Sequence, residues 1–127
     1  MERKKVDIQY QLKQASAPVL WEAISTPSGL EAWFADKVTF NGHQVTFSWG
    51  DEQREAKLVA IRAYSLVRFK WLDGEYPREY FEIKMLNDEL TNDYVLEIID
   101  FADEDEVDEC RQLWDWELET MCRNYGF

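Results

Sequence analysis

The strongest constraint on this chain is a change of hydrophobic period just after residue 101. From residue 38 to 101 apolar side chains recur at every second position, the repeat of a half-buried strand. From residue 103 to 124 they recur at three- and four-residue steps. Val107, Cys110, Leu113, Trp114, Leu118, Met121, Cys122 and Tyr125 then form one continuous helical stripe. The acids of "DEDEVDE" (103–109) stand at the start of that stripe, where carboxylates favour the positive end of a helix dipole. The long helix is therefore expected to begin within about two residues of Asp103.

The strands before it can be placed one by one. "KVTFNGHQVTFSW" reads as a hairpin with Asn41 and Gly42 as its two-residue turn, and Val45, Phe47 and Trp49 share a face. Further strands are predicted over about 53–63, 66–72, 79–86 and 93–101. Val67, Phe69 and Trp71 point inward, as do Phe81, Ile83 and Met85, whereas Arg68, Lys70, Glu82 and Lys84 point outward. In 93–101 both faces are largely apolar, so the strand needs cover on both sides. One helix covers one face. Val95, Ile99 and Phe101 should then touch the N-terminal elements or form a dimer contact.

The first 37 residues read differently. Residues 5–12 alternate, with Val6, Ile8, Tyr10 and Leu12 on one face. Ser16 then caps a short helix with Pro18 in its first turn. Thr26 and Pro27 start a second short helix that ends near Phe34. The order is strand, two short helices, six strands and a long helix: an α+β chain in one domain spanning residues 1–127.

Composition narrows the function classes. Hydrophobic residues make up 46% of the 127 and aromatics 15%, enough for burial to offset the entropy of ordering. No apolar run approaches the ~20 residues of a membrane helix, and "MERKKVDIQY" lacks the apolar core of a signal peptide. Membrane insertion is not expected, and the expected compartment is the cytoplasm. Cys110 and Cys122 fall on one helix at a separation of roughly 18 Å, too far for a disulfide. Net charge is −12, and residues 88–119 alone hold fourteen acids against one base, Arg111. Such a surface repels phosphate backbones, so no nucleic-acid partner is expected.

No catalytic or metal constellation emerges. The single histidine, His43, sits beside the hairpin turn with no nucleophile and no orienting group in view. "DEDEVDE" lacks the glycine of a calcium loop and runs on into helix. Two distant cysteines and one histidine do not make a zinc site. No cofactor is called for. Arg62, Asp100 and Glu117 are candidates for charge near an internal pocket, although surface positions fit them as well. Trp116 falls beside the helix stripe, where it covers the sheet edge or joins Val95, Ile99 and Phe101 in a partner patch.

The order of elements, with "ISTPSGLEAWFADKVTF", "FSWGDEQREAKLVAI", "VRFKWLD", "YFEIKM" and "LWDWELETMCRNYG", resembles the START-like domains of the SRPBCC superfamily. It is most similar to small bacterial proteins related to the C-terminal domain of the activator of a heat-shock chaperone ATPase. The pattern Thr26-Pro27, Leu30, Trp33-Phe34 carries much of the likeness. The resemblance implies a helix-grip fold, in which a curved antiparallel sheet wraps the long C-terminal helix and two short helices close one end. It also implies a space between helix and sheet that often holds a small apolar molecule. The residues expected to line that space are Trp33, Phe34, Phe47, Trp49, Phe69, Trp71, Phe81 and Trp114, with Trp33 or Phe34 at its rim. The same rings would equally serve as a filled core. Two readings follow: a non-enzymatic module for a small hydrophobic ligand, or a chaperone-associated protein-interaction module acting through its surface. A homodimer or a protein partner is compatible with either.

Overall fold

In the computed structural model, which describes residues 2–127, the chain forms a single antiparallel sheet gripping one long helix. The strands are β1 (Arg3–Leu12), β2 (Lys37–Asn41), β3 (Gln44–Trp49), β4 (Glu52–Arg62), β5 (Leu66–Trp71), β6 (Phe81–Asp88) and β7 (Asp93–Asp103). The helices are α1 (Ala17–Ser25), α2 (Pro27–Glu31) and α3 (Val107–Tyr125). The strand order is β1-β7-β6-β5-β4-β3-β2, so the first strand lies beside the last and every pairing is antiparallel. This is the α+β helix grip the sequence implied.

Register places the alternating residues as the sequence predicted. Ile8, Ile98, Ile83 and Val67 stand directly opposite one another across four strands, and all are buried on the face toward α3. Phe69 is likewise paired with Leu58 on one side and Phe81 on the other. A register shift between Leu58 and Ala60 marks a β-bulge in β4; such bulges bend a strand and increase its twist, which helps the sheet curl around the helix.

The short helices are set by local chemistry. Thr26 accepts a hydrogen bond from the Gly29 N–H at 2.9 Å, capping α2, with Pro27 in its first turn. Ser16 occupies the N-cap position of α1, but its side chain makes no cap bond. Gly29 is required by close approach: a Cβ there would lie 2.0 Å from the Glu22 carbonyl oxygen. α2 itself stops at Glu31, three residues before Phe34, and the chain continues as a turn whose Phe34 N–H bonds the Leu30 carbonyl at 2.8 Å.

Two boundaries differ from the sequence reading. The two-residue hairpin loop is Gly42–His43, because Asn41 still pairs with Gln44. Gly42 supplies the positive φ of 63° at the first loop position, a conformation easy for glycine and costly for asparagine. At the other end, Glu104–Glu106 form a 3₁₀ turn and the α-helix begins at Val107, four residues after Asp103. Helical geometry does start at the acids, but tighter than an α-helix. Val95, Ile99 and Phe101 point away from α3 and lie beside Gln11, Asp7 and Lys5 of β1. Ile99 is buried, and Phe101 packs edge-on against Tyr80 at 5.3 Å. Near Ile99 the outer face is closed by Glu82, itself buried and ion-paired with Arg68 at 2.8 Å and Lys84 at 3.5 Å.

Candidate functional site

Between α3 and the sheet the eight predicted aromatics form one connected cluster. Phe34 is its hub, with ring centroids 5.1 Å from Phe47, 5.4 Å from Phe81, 5.6 Å from Trp114 and 5.7 Å from Trp49. Phe81 touches Phe69 and Trp71, each at 5.1 Å. Trp33 lies 6.5 Å from Trp114 and anchors its indole N–H on the Ala23 carbonyl at 2.8 Å. Trp33 and Phe34 are 3% and 6% exposed, so both rings belong to the interior. Phe47, Phe69 and Phe81 are buried outright, whereas Trp49 and Trp71 remain partly open.

Two adjoining clefts open at the end of the grip where α3 starts. One, of about 310 Å³, is lined by Trp71, the Gly74–Tyr76 turn, Glu79 and Tyr80. The other, of about 440 Å³, runs under α3 along Cys110, Leu113 and Trp114. Arg3, Arg54, Asp100 and Phe101 line both. This mouth joins the ends of four strands with the first turns of the helix.

The charges of the mouth are held in fixed geometry. Arg54 sits opposite Phe47 on the inner face of the sheet. Its guanidinium lies 3.9 Å over the Trp71 ring and forks onto Asp73 at 2.9 and 3.1 Å. That fork holds the Asp73 carboxyl below its ordinary value. Arg3 is 4.1 Å from the Tyr76 ring and bonds Glu79 and Asp103. Asp100 turns inward beneath α3 and accepts the Trp114 indole N–H at 2.8 Å, the Phe101 N–H at 2.8 Å and the Cys110 thiol at 3.8 Å. Burial raises its carboxyl above the ordinary range despite these bonds. Cys110 is pushed up to about 12, by burial first and then by Asp100, so this thiol stays protonated and is a poor nucleophile.

A third cleft, of about 380 Å³, lies on the opposite side of the aromatic cluster, bordered by Trp33, Phe34, Asp36, Trp49 and Glu117. Burial, followed by the nearby Asp36, pushes the Glu117 carboxyl up to about 7.

Of the three charged candidates, Asp100 lines the mouth, Glu117 this third cleft, and Arg62 is exposed at the end of β4. Arg3, Arg54, Tyr76 and Tyr80 were not anticipated. Arg54 was legible in principle, since it falls on the same strand face as Ala56 and Leu58; the other three depend on tertiary placement. His43 is exposed at the hairpin loop. Asp103, Asp105 and Glu106 bring carboxylate oxygens within 4.8 Å of one another, but Asp103 is already paired with Arg3 at 3.0 Å.

Comparison with known proteins agrees with this geometry. The family model of the START-like superfamily domain matches residues 1–126. The solution structure of BfR322 from Bacteroides fragilis is 55% identical, covers 100% of this chain and 94% of its own, and superposes with a TM-score of 0.71. The Aha1 dimer from Colwellia psychrerythraea shares the fold at 15% identity, over 93% of this chain and 92% of that one, with a TM-score of 0.74. CalU16 from Micromonospora echinospora does so at 14% identity, over 94% and 80%, with a TM-score of 0.70. No curated protein matches significantly. With the fold, the helix grip and the family match in agreement, this chain belongs to the START-like superfamily.

Proposed function

We propose that this protein is a non-enzymatic module that binds one small hydrophobic molecule between α3 and the sheet. The observation that carries this reading is that Trp71 and Trp114, both edges of the aromatic cluster, line adjoining clefts that share Arg54 and Asp100. Volumes of about 310 and 440 Å³ fall in the size range of small-molecule sites, and the rings of Trp71, Tyr76, Tyr80, Phe101 and Trp114 stand among charged groups in their walls. The apolar body of the ligand would rest on Trp71 and Trp114, with Phe34, Phe47, Phe69 and Phe81 behind them. Trp33 and Trp49 would support the far wall. Arg54 and Asp100 would meet a polar end. Membership of the START-like superfamily, whose members often bind hydrophobic ligands, supports the same reading. Cys110 is a poor nucleophile with its thiol pushed up to about 12, and His43 is exposed on the hairpin loop, which fits a module without catalysis.

A cytoplasmic location fits the two free thiols. No helix among the described residues is long and apolar enough to cross a membrane.

A second reading is supported by a separate observation. The rings between helix and sheet are already in mutual contact, and Leu113 and Trp116 are 54% and 56% exposed on α3. A filled grip acting through that surface would be the interaction module, and chaperone association would belong to it. Titration with anilinonaphthalene sulfonate separates the two. The ligand module predicts saturable one-to-one binding with a change in tryptophan emission, and altered affinity in Trp71→Ala. The interaction module predicts no saturable site, and a loss of ~3–5 kcal/mol of stability when Trp71 is truncated.

A further inference from the structure

The seven-stranded sheet ends at β1, which has β7 on one side and, among the described residues, no strand on the other. The direction of its backbone groups can be read from two bonds. The Glu104 N–H bonds the Glu2 carbonyl at 2.9 Å, so even-numbered positions on this side face β7. Arg111 Nη1 reaches the Asp7 carbonyl at 3.4 Å from the helix side, so odd-numbered positions face outward. Gln9 and Gln11 therefore turn their N–H and C=O groups away from the sheet.

They turn them into a groove. A depression of about 700 Å³ is lined on one side by the consecutive residues Gln9 to Leu12, and on the other by α3 residues that include Leu118, Glu119 and Cys122. Side chains of one strand face alternate between its two sides, so four successive residues line a groove only where it follows the backbone edge. The groove thus offers unpaired main-chain donors and acceptors beside Leu118 and Cys122 of α3, set among charged residues.

The surroundings favour a basic occupant. Asp115 and Glu119 stand on the helix side, with Asp115 already accepting the Tyr10 hydroxyl at 2.7 Å. On the outer face Asp7 and Glu97 crowd each other, and hydrogen bonding to Asp7 is the main reason that the Glu97 carboxyl is held above its ordinary value. Arg123 is the one base among the described residues lining the groove, and Arg111 sits beyond it against the Asp7 carbonyl. A second copy of the chain would bring the same acids to the contact.

We propose that the groove between the free edge of β1 and α3 is a docking site for an extended, basic segment of a partner protein. The segment joins the sheet as a further strand on Gln9 and Gln11. Its apolar side chains face Leu118 and Cys122, and its basic side chains meet the acids on either side. This site is separate from the mouth and does not depend on the ligand reading.

The test uses the full chain, labelled with ¹⁵N, and a capped peptide of about seven residues alternating valine and lysine. Amide exchange at Gln9 and Gln11 should slow on saturation. Binding should weaken about tenfold or more, a loss of at least ~1.4 kcal/mol, when glutamate replaces the lysines or when the peptide backbone is N-methylated. Gln9→Pro should weaken it equally, since it removes an outward donor and leaves the β7 pairing intact. Should that variant not fold, the N-methylated peptide carries the same test on the wild type. Unchanged exchange at both amides under saturating peptide would overturn the proposal, as would equal binding of the lysine and glutamate peptides. A wild-type dimer with those amides already protected would overturn it too, by assigning the edge to a second copy.

Discussion

Asp100 of β7 receives the indole N–H of Trp114 at 2.8 Å, a bond that ties the centre of α3 to the floor of the sheet beneath the aromatic cluster. Trp114→Phe leaves an aromatic ring in the cluster but deletes the donor, and the smaller ring adds a packing loss that does not depend on pH. A buried carboxylate that loses a charge-assisted bond costs ~1.5–3 kcal/mol, so chemical denaturation at pH 8 should show a loss of that order. The bond lowers the Asp100 pKa, and the variant should therefore titrate higher. Its deficit should shrink as pH falls and the carboxyl protonates. A pH-independent deficit would mean that the carboxylate is not involved.

Glu117 gives a second pH signature. Its carboxyl moves from an ordinary 4.5 to about 7 in the folded protein, through burial and then Asp36. Between those values the native state binds more protons than the unfolded one, so this group makes stability fall as pH rises from 4.5 to 7. Glu117→Gln should match the wild type at pH 4 and exceed it at pH 8 in thermal unfolding. The opposite order at pH 8 would show that the charged form is favoured by a partner.

Gly29 is held against the last turn of α1 with no room for a methyl group. The atoms in the way are backbone, at 2.0 and 2.8 Å, so the helices must part for Gly29→Ala. The expected cost is ~1–3 kcal/mol, with a shift in tryptophan emission because α2 positions Trp33 and Phe34. An unchanged melting temperature would contradict the close approach.

The thiols offer a chemical check. Burial raises Cys122 and, together with Asp100, takes Cys110 to about 12. Both should react slowly with iodoacetamide at pH 8 in the folded protein and at the rate of free cysteine in denaturant. Fast labelling of Cys110 in the native state would place that thiol in water.

Much of this was readable in the sequence because the sheet obeys period two. Phe47, Phe69 and Phe81 face α3 as their alternation predicts, and most predicted strand boundaries fall within two residues of those observed. The helix start was displaced because the acids at 104–106 adopt a 3₁₀ turn, which residue type alone does not distinguish from a first α-turn. The segment from 73 to 78 carries no period, so Tyr76 at the mouth was invisible, and Glu79 and Tyr80 fell at the start of a predicted strand that begins only at Phe81. Trp33 and Phe34 are adjacent yet both buried, because the chain turns after α2 and carries Phe34 into the cluster while Trp33 tucks against α1.

The central claim is that a small hydrophobic molecule occupies the mouth of the grip. Native mass spectrometry of protein purified from its own cells tests it most directly. The account predicts a single adduct of small-molecule mass that is released on denaturation, extracts into organic solvent, and is depleted or exchanged in Trp71→Ala. Wild-type protein from those cells carrying only its bare chain mass, with no extractable apolar compound, would contradict it.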